Sequence, residues 1–176
     1  MFFLPFKERQ DFTNRLLNIS KEIHNNISQN TENLEISYET KVINKEEYIK
    51  NLKKNREIDY IKGFTSFGPH KDDLKIVVNG TDIRVFGSQG QQRTAALSIK
   101  LAEIGLIKEE TGENAVLLLD DVLSELDQNR QRFLIEAMKD VQVFITATEI
   151  EESLKNKLPK GNTYYVDNGI VNLYNI

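Results

Sequence analysis

The sequence predicts a mixed α/β fold built around buried parallel strands and flanked by antiparallel hairpins. Three observations carry that reading. Two unbroken apolar runs, Ala115–Leu119 and Val141–Ile145, have strand length and enclose a helical segment, as in a βα unit with covered strands. Several longer stretches repeat apolar residues every three or four positions, the period of a helix with one buried face. Two Asn-Gly pairs, Asn79-Gly80 and Asn168-Gly169, sit between strand-like segments, and Asn-Gly favours the positive φ angles of a tight hairpin turn.

The elements follow in order. Phe12, Leu16, Ile19, Ile23 and Ile27 form one apolar stripe, which predicts a first helix. Leu34, Ile36 and Tyr38 alternate with polar residues, as in a half-buried strand. Asn44 followed by Glu47 has the spacing of a capping box and opens a second helix through about Tyr60. Neither helix is apolar enough to bury itself alone, so this part reads as an appendage. The composition shifts near Lys62: residues 1–62 hold 11 basic and 10 acidic side chains, residues 63–176 hold 12 and 17. Beyond Gly63, Leu74–Val78 and Thr81–Phe86 are expected to form a hairpin. A long helix from about Ser88 to Glu110 is apolar over much of its girth, the mark of a buried helix. Ala115–Leu119 is expected to be covered on both faces. A helix over Asp127–Met138, the strand Val141–Ile145, a short charged helix Glu149–Lys157 and a closing hairpin Thr163–Tyr174 complete the chain. The order is hairpin, βα units, hairpin, with no internal repeat.

Composition narrows the function classes. The chain has 176 residues, 39% hydrophobic and 28% charged, enough for a core. It has no cysteine, which excludes disulfides, zinc-thiolate sites and thiol catalysis. His24 and His70 are the only imidazoles. No apolar run approaches the ~18–20 residues of a membrane span, and Met1–Phe6 lacks a basic flank for a secretory signal. A net charge of −4 argues against nucleic-acid binding by bulk charge. These features predict a soluble, cytoplasmic protein with no membrane partner.

Three segments can carry chemistry. Val116–Asp121 places Asp120 and Asp121 directly after a strand, at the carboxyl edge where α/β proteins bind ligands. Paired carboxylates repel unless a cation or proton relieves them, and Mg²⁺ with an attached phosphate is a natural relief. The plain alternative is an acidic, solvated turn. Gly87-Ser88-Gln89-Gly90-Gln91-Gln92-Arg93 opens the long helix with small residues and side-chain donors, which suits an anion at a helix N-terminus. A simple hairpin-to-helix connector would use the same residues. Ser124-Glu125-Leu126-Asp127, taken alone, is a cap for the next helix.

Taken in order, these segments resemble the second half of an ABC-type ATPase head, of the kind found in chromosome-maintenance and recombination proteins. Ser88–Gln91 is similar to the signature loop, with Gln89 where glycine is commoner. Val116–Asp121 resembles the Walker B strand, and Ser124–Asp127 the D-loop. The nearest resemblance is to the bacterial RecF family, through Gly68-Pro69-His70-Lys71-Asp72-Asp73, Ser-Gln-Gly-Gln-Gln-Arg and Leu-Leu-Leu-Asp-Asp-Val-Leu-Ser-Glu-Leu-Asp. It covers Gly63 onward well and residues 1–62 by position only.

The resemblance implies an arm segment over 1–62, part of an inserted helical domain, and the C-terminal part of a head over 63–176. It implies an ATP-dependent mediator that self-dimerises across ATP, binds DNA at single-strand/double-strand junctions, and works with RecR and RecO. ATP and Mg²⁺ are the implied cofactors. Asp120 would hold Mg²⁺ through water, Asp121 would orient the attacking water, and Ser88, Gln89, Gly90 and Gln91 would reach the partner's γ-phosphate. Asp127 would contact across the dimer. Two departures from ABC heads stand out. Asp121 replaces the usual glutamate, which retracts the carboxylate and implies slow hydrolysis. Phe144–Thr148 replaces the usual histidine, leaving Thr146 or Thr148 to supply a hydroxyl. None of the nine glycines forms a phosphate loop, and none precedes Gly63. The sequence is therefore expected to be a C-terminal fragment, inactive alone.

Lys50, Lys53 and Lys54, with Arg56 nearby, are candidate contacts for DNA phosphates, against the plain reading of a solvated helix face. His70 has no assigned role. The competing identities are another head, Rad50-like or RecN-like, and a non-catalytic interaction module.

Overall fold

The computed structural model describes residues 4–41, 44–148 and 155–174. They divide into two compact units between Glu113 and Asn114.

In the first unit, helix α1 (Leu4–Ile27) packs along α4 (Gln89–Thr111). Leu16 meets Ala102 and Leu106, with Ile19, Ile23 and Ile99 around them. The predicted stripe faces inward except at its start, where Phe12 is exposed. Strand β1 (Leu34–Glu39) pairs antiparallel with β2 (Asp73–Val78), in register from Leu34 opposite Val78 to Glu39 opposite Asp73. Alternation sends Leu34 and Ile36 into a second cluster with Val78, Ile83 and Ala95. Helix α2 (Lys45–Lys62) starts where Asn44 accepts the Glu47 N–H, and it ends at Gly63 in the left-handed region. Lys62 therefore lies inside this unit. Buried His24 ties α1 to α4. Its Nε2 lies 3.1 Å from Glu32 Oε2, and its Nδ1 lies 3.3 Å from Ser98 Oγ. The trio resembles a nucleophile, base and acid, but the Ser98 hydroxyl is buried and donates to Thr94 O, so it is a packing device.

Two expectations are corrected here. The strand expected over Thr81–Phe86 stops at Asp82: β3 is Thr81–Asp82, and Ile83–Phe86 forms a helical turn, α3. The turn wins because Asp82 accepts the Arg84 N–H and the Gly87 N–H closes on Ile83 O. The Asn79-Gly80 turn itself is present, with φ angles of 50° and 77°. Helix α4 buries one broad face, Thr94, Ala95, Leu97, Ser98, Leu101, Ala102 and Leu106, and exposes Ala96 and Ile107 rather than being covered all round.

The second unit contains β4 (Val116–Asp120), α5 (Gln128–Ala137) and β5 (Gln142–Thr146), with β4 and β5 parallel. Hairpin β6 (Thr163–Asp167) to β7 (Ile170–Tyr174) closes it through Asn168-Gly169. The expectation that β4 is covered on both faces is corrected. Leu119 is buried, while Val116, Leu118 and Phe144 lie open. Among the described residues these side chains stay open, although their types are those of a covered strand. The charged helix expected over Glu149–Lys157 falls mainly outside the described residues. Among the described residues, no helix is long and apolar enough to cross a membrane.

Candidate functional site

The parallel ladder sets Asp120 opposite Thr146 at its carboxyl edge. The Thr146 hydroxyl donates to Asp120 Oδ1 in a short hydrogen bond. The Asp121 N–H reaches both Thr146 O at 3.1 Å and Thr146 Oγ1 at 3.2 Å. Asp121 itself leaves the strand with φ 52°, in the left-handed region that Asp tolerates better than most residues. Ser124 then shares its one hydroxyl hydrogen between Asp121 O at 2.8 Å and Asp121 Oδ1 at 3.1 Å. Each carboxylate thus has its own hydroxyl partner, Thr146 for Asp120 and Ser124 for Asp121. Both acids are exposed.

Asp127 sits at the N-cap of α5, where its side chain accepts the Arg130 N–H at 2.9 Å and pairs with the Arg130 guanidinium. Gln131 Nε2 reaches back to Leu123 O at 3.0 Å, fixing the segment between the acids and α5.

In the first unit, Ser88 and Gln91 form a reciprocal capping box. Ser88 Oγ accepts the Gln91 N–H, and Gln91 Oε1 accepts the Ser88 N–H. Because Ser88 Oγ is the acceptor, its own hydrogen is not used in that box. Gly87 has a packing reason to be glycine: a Cβ there would stand 2.5 Å from Ile83 O and 2.7 Å from Ile83 Cα. Gln92 Nε2 donates to the same carbonyl at 2.8 Å, so α3 and α4 are locked at this joint.

Lys50, Lys53, Lys54 and Arg56 are all exposed on α2. Lys50, Lys53 and Lys54 share one face by their spacing, and Glu57, four residues after Lys53, shares it and offsets one charge. The Gly68–Asp73 segment is a structural junction. Arg9 donates to Pro69 O, Tyr38 donates to Asp72, and Arg84 pairs with Asp73. Arg84, helped by the Leu74 N–H, holds the Asp73 carboxyl below its ordinary range. Burial, then the bond to Asp72, pushes the Tyr38 phenol up. His70 Nε2 lies 2.7 Å from Thr65 O, which gives it a role in shaping the turn.

The sequence offered Thr146 or Thr148 as a hydroxyl at this place, and the structure brings Thr146 to the acids. Its specific contact with Asp120, and that of Ser124 with Asp121, were not visible in the motif. The Thr146 contact spans 26 residues and depends on strand register, whereas Ser124 gave only a local capping signal. Among the described residues, no group of three or more His, Cys, Asp or Glu could hold a metal ion. Two adjacent acids suit Mg²⁺, which takes one or two carboxylates and completes its shell with water and phosphate.

No protein-family model matches the sequence. The chain is 45% identical over 171 residues to the DNA replication and repair protein RecF of Alkaliphilus oremlandii, covering 92% of this chain and 47% of that protein. The structure superimposes on the recombination mediator protein RecF with ATP, in the RecFOR pathway, with a TM-score of 0.73 and 37% identity. That match covers 97% of this chain and 46% of the other. A Smc head bound to the C-terminal winged-helix domain of ScpA matches with a TM-score of 0.54 at 15% identity, over 93% of this chain and 43% of that one, a likeness of fold alone. The fold is thus the α/β arrangement of RecF and of the Smc head, and the chain belongs to the RecF family, spanning about half the length of the relatives it matches.

Proposed function

We propose that this chain forms part of a RecF-type ATPase head that works as an ATP-dependent DNA-binding recombination mediator. Residues 1–62 are read as an arm segment and 63–176 as head. The observation that carries the reading is the Asp120-Asp121 pair at the end of parallel strand β4, each acid on its own hydroxyl, in a chain 37% identical to a RecF solved with ATP. Asp120 would hold Mg²⁺ through water. When bound, the cation would neutralise charge on the nucleotide phosphates. Asp121 would orient the attacking water, with turnover slowed by its short side chain. Ser88 would donate its hydroxyl hydrogen, with Gln89, Gly90 and Gln91 presenting the helix N-terminus to a γ-phosphate held by a second head. Asp127 would sit near the opposite site of that dimer. Lys50, Lys53, Lys54 and Arg56 would meet DNA phosphates at single-strand/double-strand junctions, and RecR with RecO would be the partners in gap repair.

The test uses the intact protein that contains this chain. Ser88→Arg is expected to leave nucleotide binding by each monomer intact while abolishing ATP-dependent dimerisation in light scattering. Asp120→Asn should weaken Mg²⁺-dependent nucleotide binding, whereas Asp121→Asn should spare binding and slow turnover. A Ser88→Arg protein that still dimerises on ATP would sink the signature-loop assignment.

A further inference from the structure

A single side chain, Thr146, reaches both candidate acids. Its hydroxyl donates to Asp120 Oδ1 and accepts from the Asp121 N–H, while its carbonyl accepts from that same N–H. These roles are chemically consistent, since one hydroxyl has one hydrogen to give and lone pairs to receive. The contact fixes two different things at once. It sets the direction of the Asp120 carboxylate, and it anchors the backbone where Asp121 turns out of the strand at φ 52°. The pairing that delivers it is the parallel ladder, in which Asp120 and Thr146 are direct partners. Ser124 holds the Asp121 carboxylate from the other side in sequence, so the two acids are kept on separate hydroxyls.

We propose that Thr146 is a positioning residue of this site, setting the Asp120 carboxylate and the Asp121 turn together through one hydroxyl. The proposal rests on the ATPase reading above. Adjacent carboxylates repel and would otherwise sample several arrangements. A neutral hydroxyl donor favours one arrangement without adding a titrating group. A misplaced acid loses rate even when the fold is intact, because positioning of the reacting groups is a large part of catalysis.

The experiment compares Thr146→Val and Thr146→Ser in the intact protein. Valine keeps the volume and the β-branching that suit a strand, but removes the hydroxyl. Serine keeps the hydroxyl. Thr146→Val is expected to lower kcat for ATP by about ten- to a hundredfold, the loss for one charge-assisted hydrogen bond, and to raise the Mg²⁺ concentration needed for half-maximal rate. Thr146→Ser should stay within about threefold of the parent, as expected for a loss below one neutral hydrogen bond. Hydrogen exchange without nucleotide gives a second readout: the Asp121 amide should exchange several-fold faster in Thr146→Val and at the parent rate in Thr146→Ser. Exchange unchanged by Thr146→Val, or turnover lost equally with serine and valine, overturns the proposal. A parent protein without ATP turnover overturns the ATPase reading instead, and the exchange comparison still decides whether Thr146 anchors the turn.

Discussion

Leu16, Leu34, Val78 and Ala102 in the first unit are exposed by 1% or less, whereas Leu118 and Phe144 in the second are exposed by 72% and 57%. The residue types are alike, so hydrophobicity alone does not explain the contrast. The first unit supplies both sides of its own core, with α1 laid on α4 and a three-stranded sheet turned inward at Leu34, Ile36 and Val78. Among its described residues the second has one parallel pair and one hairpin, and Leu118 and Phe144 lie open on the pair. Parallel strands are normally covered on both sides, and an isolated hairpin is marginal in water. The difference teaches that a strand can carry the apolar pattern of a covered one while one of its faces stays open among the described residues.

The largest test of this contrast pairs two leucines. Leu34→Ala should cost the isolated chain about 2–5 kcal/mol of stability through a buried cavity. Leu118→Ala should change it by no more than about 0.5 kcal/mol, as for an exposed position. Urea unfolding, with hydrogen exchange to assign the loss to a unit, measures both. Equal costs would break the comparison. Next comes Gly87→Ala, whose Cβ would collide with Ile83 backbone. It should cost about 1–3 kcal/mol, as overpacking does, and loosen exchange at the α3–α4 joint while leaving the second unit unchanged.

The helix caps sharpen the same comparison, since each unit has one near its candidate chemistry. Ser88→Ala and Asp127→Ala should each cost about 1 kcal/mol, with faster exchange confined to the first turn of α4 and of α5 respectively. Spread of either effect into the other unit would break the comparison. The smallest effect belongs to Asp73. Arg84 lowers its pKa in the folded state, so its contribution is present above the unfolded-state pKa and fades as pH falls through the folded value. Asp73→Asn should therefore lower the melting temperature slightly at neutral pH, with the difference vanishing in acid. Both side chains are exposed, so the shift should be near the detection limit of calorimetry.

Much of this organisation was legible wherever the signal was local. Asn79-Gly80 and Asn168-Gly169 turn as Asn-Gly pairs should, and Ser88 caps α4 with Gln91 as the other half of its box. The parallel strands were visible as apolar runs. The α3 turn was missed because Asp82 and Gly87 cap a segment, Ile83–Phe86, whose β-branched residues favour a strand. The main partner of β2 was also missed, because β1 lies more than thirty residues earlier and pairing at that distance leaves no local pattern. The acids were legible as a pair and Thr146 as one of two possible hydroxyls. Which acid it meets was not, since Thr146 reaches Asp120 only through strand register, and Ser124 showed only a capping signal.

The left-handed backbone at Asp121 bears on which residues a selection experiment would recover there. Aspartate, asparagine and glycine sit in that conformation with the least strain. A randomised library screened for folding alone should therefore return all three. Screened for turnover, it should narrow to aspartate, because asparagine keeps the turn without the charge and glycine keeps neither carboxylate nor amide. Glutamate would have to accept a disfavoured backbone to gain its extra reach. On the proposed ATPase reading the acid at this position would serve both a turn and a reaction, and lengthening it alone should not raise turnover in the intact protein.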